Sequence, residues 1–212
     1  MRLILLALAV TLGLSGAARA DTIEIVALGD SLTAGYGLQP GEGFPDQLEA
    51  ALKAEGLDVK VVDAGVSGDT SSGGLARLDW SVGDSADAVI VELGGNDALR
   101  GIDPELMRDN LTAILDRLEE RGLPVLLAGM LAPGNMGEDY RSAFTAVFDD
   151  LSQRDVVYYP FFLAGVAGDP GLNRDDGIHP TAEGIAIIVE KILPKVRELV
   201  ERAEGTAPAA GE

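Results

Sequence analysis

The sequence predicts an α/β domain built on a five-stranded parallel sheet, and three observations carry that expectation. Short apolar runs rich in β-branched residues alternate with amphipathic stretches of helical spacing. The runs are apolar nearly throughout, as strands covered on both faces require. Glycine-rich or polar clusters follow the strands, where an open α/β sheet places its ligand crevice. Right-handed crossovers then give the doubly wound order 2-1-3-4-5, flavodoxin-like, with the crevice between strands 1 and 3.

The elements follow in order. Ile23 to Leu28 reads as the first strand and runs into a loop punctuated by Gly29, Gly35, Gly37, Gly41 and Gly43. Pro45 to Glu55 carries Leu48, Ala51 and Leu52 on one helical face and stops at Gly56. Val59 to Asp63, Ala88 to Leu93 and Pro124 to Met130 are the next strands, and Val156 to Tyr159 is a weaker fifth. Asp103 is placed to cap a helix with Pro104 at its first position. Met107, Leu111, Ile114, Leu115 and Leu118 then repeat at three-and-four spacing up to Gly122. Tyr140 to Gln153 and Thr181 to Ala203 are further amphipathic helices, the last expected to bend near Pro194.

The two ends read differently. Arg2, the apolar run Leu3 to Leu14 and Ala18-Arg19-Ala20 form the pattern of a cleavable secretory signal over residues 1–20. The run is too short for the roughly 20 residues of a spanning helix, so no stable membrane anchor is expected and the mature protein is expected in the periplasm or outside the cell. A single domain over 21–203 follows, with 204–212 expected as a disordered tail. Removing Arg2 and Arg19 with the leader takes the formal charge from −19 to −21, which repels phosphate backbones and makes nucleic acid an unsuitable partner. The chain has no cysteine, which excludes disulfides, a thiolate nucleophile and N-terminal lipidation on sulfur. A monomer is expected.

Four clusters fall on the same edge of this sheet: Gly29-Asp30-Ser31-Leu32, Ala64 to Thr70, Gly94-Gly95-Asn96-Asp97 and Asp175 to Pro180. Each alone is ordinary turn composition. His179 is the only histidine, and Pro180 keeps it out of helical geometry at the mouth of the last helix. Asp176 lies three residues earlier with Gly177 between, a spacing that lets its carboxylate take the Nδ1 proton and leave Nε2 free. Asp175 competes for that place through a shorter and less suitable loop. A serine nucleophile needs a base, an orienter and donors for an oxyanion. Ser31, His179 and Asp176 can fill the first three roles, and the Ser31 and Gly68 amides and the Asn96 side chain can supply the donors. The Gly-x-Ser-x-Gly elbow of α/β-hydrolases is absent.

These blocks, in order from Gly29 to His179, resemble the SGNH (GDSL) hydrolase superfamily. Ala27 to Tyr36, Glu92 to Gly101 and Asp175 to Pro180 are similar to the exported bacterial arylesterase and multifunctional thioesterase–lysophospholipase–protease group. The resemblance implies a three-layer α/β/α sandwich and a serine esterase with Ser31 as nucleophile, His179 as base and Asp176 as its orienter. It implies an oxyanion hole of Ser31, Gly68 and Asn96, no metal or organic cofactor, and a small acyl-ester or lipid substrate. Asp30, Asp97 and Arg100 stand at positions that hold the loops. Leu131 to Asp139 resembles the arylesterase version of its loop more than the thioesterase version. Met136, Phe162 and Leu163 are expected to line an acyl or aryl pocket, with core packing as the alternative, and Trp80 has no assigned role. A carbohydrate deacetylase using the same residues and a catalytically silent lipid carrier are the competing readings, and cation binding by the acidic clusters is a remote third.

Overall fold

The computed structural model describes residues 22–206 of the 212-residue chain. The expected leader over residues 1–20 and the tail residues 207–212 lie outside the described residues. Five strands, β1 (Ile23–Gly29), β2 (Val59–Gly65), β3 (Ala88–Glu92), β4 (Val125–Ala128) and β5 (Val157–Tyr159), form one all-parallel sheet in the order β2-β1-β3-β4-β5. That is the predicted order. Each strand lies within about two residues of its predicted bounds, because each is a largely apolar run ended by glycine, proline or a polar residue.

The helices are α1 (Phe44–Ala54), α2 (Ser71–Ser81), α3 (Gly95–Leu99), α4 (Pro104–Glu120), α5 (Glu138–Leu151) and α6 (Ala182–Thr206). Helix α1 packs on α6, while α4 packs on both α2 and α5, so the sheet is sandwiched between two helical layers. The core runs along the sheet: Ile25, Leu28, Ile90, Leu126 and Leu127 meet Leu48 and Leu52 of α1, Leu111 and Ile114 of α4, and Ile188 and Ile192 of α6, all fully buried. Asp103 caps α4 by accepting from the Glu105 N–H at 3.0 Å, with Pro104 inside the first turn as the sequence indicated.

Two stretches depart from expectation. Ser71–Ser81 is a helix although it contains Gly73 and Gly74, which cost helical propensity. Packing overrides that cost: a side chain at Gly74 would strike Leu93 and one at Gly73 would strike Asp69, while Thr70 caps the first turn through the Gly73 N–H. Helix α6 continues through Pro194 to Thr206, so Glu204, Gly205 and Thr206 are helical rather than part of a disordered tail. Val200 and Ala203 are buried in that last stretch, and the helix carries on one turn past them. Among the described residues no helix is long and apolar enough to cross a membrane.

Candidate active site

The carboxyl ends of β1, β2 and β3 deliver three of the four polar clusters to one place. At the end of β1 the chain turns sharply: Asp30 Oδ1 accepts from the Leu32 N–H at 2.9 Å, and the Asp30 and Ser31 carbonyls accept from the Ala34 and Tyr36 amides at 3.0 Å. The turn presents the Ser31 hydroxyl while leaving the residue 8% exposed. Gly29 cannot carry a side chain here, since a Cβ would meet the Thr33 hydroxyl and the Glu92 carboxyl.

The fourth cluster arrives from the loop before α6. An antiparallel bridge between Asn173 and Pro180 closes its base, and the Thr181 N–H donates to the Leu172 carbonyl at 2.9 Å. Within the loop, Asp176 Oδ1 accepts from the Ile178 and His179 amides, both at 2.9 Å, and Oδ2 lies 2.8 Å from His179 Nδ1. His179 Nε2 is then 3.0 Å from Ser31 Oγ. Hydroxyl, imidazole and carboxylate form a continuous hydrogen-bonded chain, with Asp176 in the place the spacing predicted. The His179 amide, the His179 ring and the Ile178 amide hold the Asp176 carboxyl well below the usual carboxylate range, so it is ionised throughout neutral and mildly acidic pH. The Tyr36 ring lies 4.5 Å from the His179 ring, centroid to centroid, with half its own surface exposed.

Ser31, Gly68, Asn96 and His179 all line one cavity of about 510 Å³. The Ser31 and Gly68 amides donate to no other described residue, so both are free to meet a ligand. Asn96, at the start of α3, donates one N–H to Asp30 Oδ2 at 2.8 Å and keeps a second N–H available. Gly68 has φ +82°, a conformation suited to glycine, and Arg100 anchors it from behind by donating to its carbonyl at 2.6 Å. Asp97 is fully buried and accepts from the Ser71 N–H and hydroxyl at 2.8 and 2.6 Å, tying α3 to α2. Asp30, Asp97 and Arg100 thus brace loops, as expected.

The predicted pocket residues divide. Leu163 lines the cavity, but Phe162 does not: it is fully buried and packs edge-on against Phe44 of α1 with ring centroids 5.0 Å apart. Its neighbour Phe161 turns to the cavity instead. Met136 is also away from the cavity, half-buried with its methyl group near Gly101. The apolar wall is made by Leu99, Met130, Leu131, Phe161 and Leu163, with Ile178 beside His179. Trp80 projects from α2 and is 75% exposed, away from this wall. Sequence reasoning also missed two braces. Arg174 donates to the Gly37 carbonyl at 2.5 Å and so joins the His179 loop to the loop after β1. Arg77, 7% exposed, pairs with Asp69 at 2.6 Å and donates to the Gly29 and Ala64 carbonyls at 2.8 and 2.7 Å. Among the described residues no group of histidine or acidic side chains is arranged to hold a metal ion.

The doubly wound fold with this hydroxyl, imidazole and carboxylate at its sheet edge is that of a serine hydrolase. Sequence comparison makes the assignment specific. Residues 27–187 match the GDSL-like Lipase/Acylhydrolase family, and the chain belongs to that family. It is 40% identical over 185 residues to the esterase TesA of Pseudomonas aeruginosa, covering 86% of this chain and 91% of that protein. It is 38% identical to the thioesterase 1/protease 1/lysophospholipase L1 of Escherichia coli K12, over 87% of both chains. The crystal structure of the psychrotrophic esterase EstA from Pseudoalteromonas, inhibited by monoethylphosphonate, superposes with a TM-score of 0.79 at 32% identity, covering 84% of this chain and 98% of that one.

Proposed function

We propose that this protein is an exported serine esterase that cleaves acyl esters, extending to thioesters or lysophospholipids, through an acyl-enzyme on Ser31. The observation that carries the reading is the 3.0 Å contact from Ser31 Oγ to His179 Nε2, backed by the 2.8 Å contact to Asp176, at the wall of an apolar cavity. His179 Nε2 takes the hydroxyl proton as Ser31 Oγ attacks the ester carbonyl carbon. Asp176 fixes the ring with its proton on Nδ1 and stabilises the imidazolium that forms. The developing oxyanion is received by the Ser31 and Gly68 amides and the second N–H of Asn96, donors held in place before the reaction begins. His179 then protonates the departing alcohol or thiol. It deprotonates a water that attacks the acyl-enzyme, and the serine is regenerated.

Leu99, Leu131, Phe161 and Leu163 give the acyl or aryl group an apolar surface, which favours this substrate class over a polar sugar acetate. Export rests on the leader pattern in residues 1–20, with the working domain beginning near Asp21. The test is hydrolysis of p-nitrophenyl esters from acetyl to palmitoyl by the wild type and by Ser31→Ala. Ser31→Ala is expected to lose roughly 10⁶-fold in kcat, the cost of removing a serine nucleophile. Wild-type rates in that variant would refute the mechanism, turnover of acetate alone would favour a deacetylase, and binding without turnover would favour a carrier.

A further inference from the structure

Behind the nucleophile lies an acid that the mechanism above does not use. Glu92 is the last residue of β3, paired in register with Gly29 of β1 and with Ala128 of β4, and it is fully buried. Its Oε2 accepts from the Thr33 hydroxyl at 2.8 Å and from the Asp30 N–H at 3.3 Å, so one carboxyl oxygen clamps both sides of Ser31. Its Oε1 is buried and finds no partner among the described residues. The missing Cβ at Gly29 makes the space for this contact.

We propose that Glu92 is a positioning residue for Ser31, holding the Gly29–Thr33 turn in register as a neutral carboxylic acid. The proposal rests on Ser31 being the nucleophile. An ionised carboxylate presents about four acceptor sites, and one left bare in the interior is strongly disfavoured. Nor does any cation among the described residues face Glu92. From the β1 turn the neighbouring charge is Asp30, of the same sign. From β4 the neighbour is Ala128, which carries no charge. The Arg77 guanidinium of α2 is committed to Asp69, Ser81 and the Gly29 and Ala64 carbonyls, and Asp97 of α3 is committed to Ser71.

Two acids side by side in the interior do not both ionise readily. Burial raises the Asp30 carboxyl too, but Asp30 is the better anion of the two, because the Leu32 N–H and the Asn96 amide donate to its two oxygens. Burial, and then the charge of Asp30, push the Glu92 carboxyl well above its ordinary 4.5. The division of labour follows: Asp30 carries the charge that aims Asn96, and Glu92 carries the proton that lets it take the Asp30 N–H beside that charge. Raising the pH strips that proton, sets two like charges against each other beneath Ser31, and pulls the hydroxyl off its line to His179.

Glu92→Ala is expected to lower kcat by up to about 10²-fold, the scale of an ångström-sized misplacement of a reacting group. Glu92→Gln, which keeps an acceptor oxygen for Thr33 and Asp30 but cannot ionise, is expected to restore kcat and to extend activity toward alkaline pH relative to the wild type. An alkaline limb unchanged in Glu92→Gln would overturn the proposal. A measurement on the wild type needs neither variant to fold. With ¹³C in the glutamate carboxyls, one resonance is expected to stay in the protonated position at pH 7 while the others have titrated. All glutamates ionised at pH 7 would equally overturn it. The NMR result is independent of turnover, so it separates failure of this proposal from failure of the Ser31 mechanism.

Discussion

Ser31 stands on a turn whose neighbours Asp30, Leu32 and Thr33 are all buried, whereas His179 and Asp176 stand on a loop that water reaches, with 18% and 37% of their side chains exposed. The Ser31 turn is held by long-range contacts: Glu92 from β3, Asn96 from α3 and Arg77 from α2 all reach it. His179 is held mainly by its own neighbours, through three hydrogen bonds inside the four residues Asp176 to His179. One half of the site is therefore part of the core, and damage there costs stability and catalysis together. The other half is a local device clipped onto the domain, and damage there should cost catalysis alone.

Among variants that separate the two halves, the largest expected effect tests the local one. Asp176→Asn removes the acceptor that orients His179 and is expected to lower kcat by roughly 10³–10⁴-fold while leaving the melting temperature nearly unchanged. The sign of its pH dependence follows from the depressed carboxyl. What Asp176 contributes is present above its ordinary 3.8 and is lost only as the pH falls toward the lower folded value. The difference in melting temperature between wild type and Asp176→Asn should accordingly be small at pH 8, far above the range in which the Asp176 carboxyl titrates. A large difference at that pH would show that the loop is built into the core after all.

A smaller pair of effects sharpens the same comparison within two adjacent residues. Phe162→Ala empties a fully buried site against Phe44 and is expected to destabilise the domain by about 3–5 kcal/mol, with activity per folded molecule retained. Leu163→Ala is expected to leave the melting temperature nearly unchanged and to lower kcat/KM for longer acyl esters by about tenfold, the scale of a few lost apolar contacts. Thermal melts and an ester series on both variants check this. If the two swapped phenotypes, the assignment of Phe162 to the core and Leu163 to the cavity would be reversed.

What was legible in the sequence divides along similar lines. The strands, their order and the hydroxyl, imidazole and carboxylate could be read because each is written locally: apolar runs for strands, Asp-x-x-His for the base loop, and clusters at strand ends for the crevice. The pocket wall could not. After β5, Phe161-Phe162-Leu163 is uniformly apolar, and only the path of the chain decides that Phe162 turns toward α1 while its neighbours face the cavity. Helix α2 was hidden because Gly73 and Gly74 look like loop residues until Leu93 and Asp69 are seen to fill the space where their side chains would be. Glu92 was hidden as well, since one acid ending an apolar strand reads as the place where the strand meets solvent. The structure instead buries it beneath the Ser31 turn. Residues whose role is set by distant partners leave little trace in their own stretch of chain.

The most direct test of the account is covalent. Exposure to a fluorophosphonate ester should form one Oγ–P bond with loss of fluoride, and peptide mass mapping should place the single phosphonyl group on Ser31, with esterase activity lost in step with labelling. Labelling should vanish in Ser31→Ala. Stoichiometric modification at another residue, or a fully labelled Ser31 that leaves ester hydrolysis intact, would contradict the account.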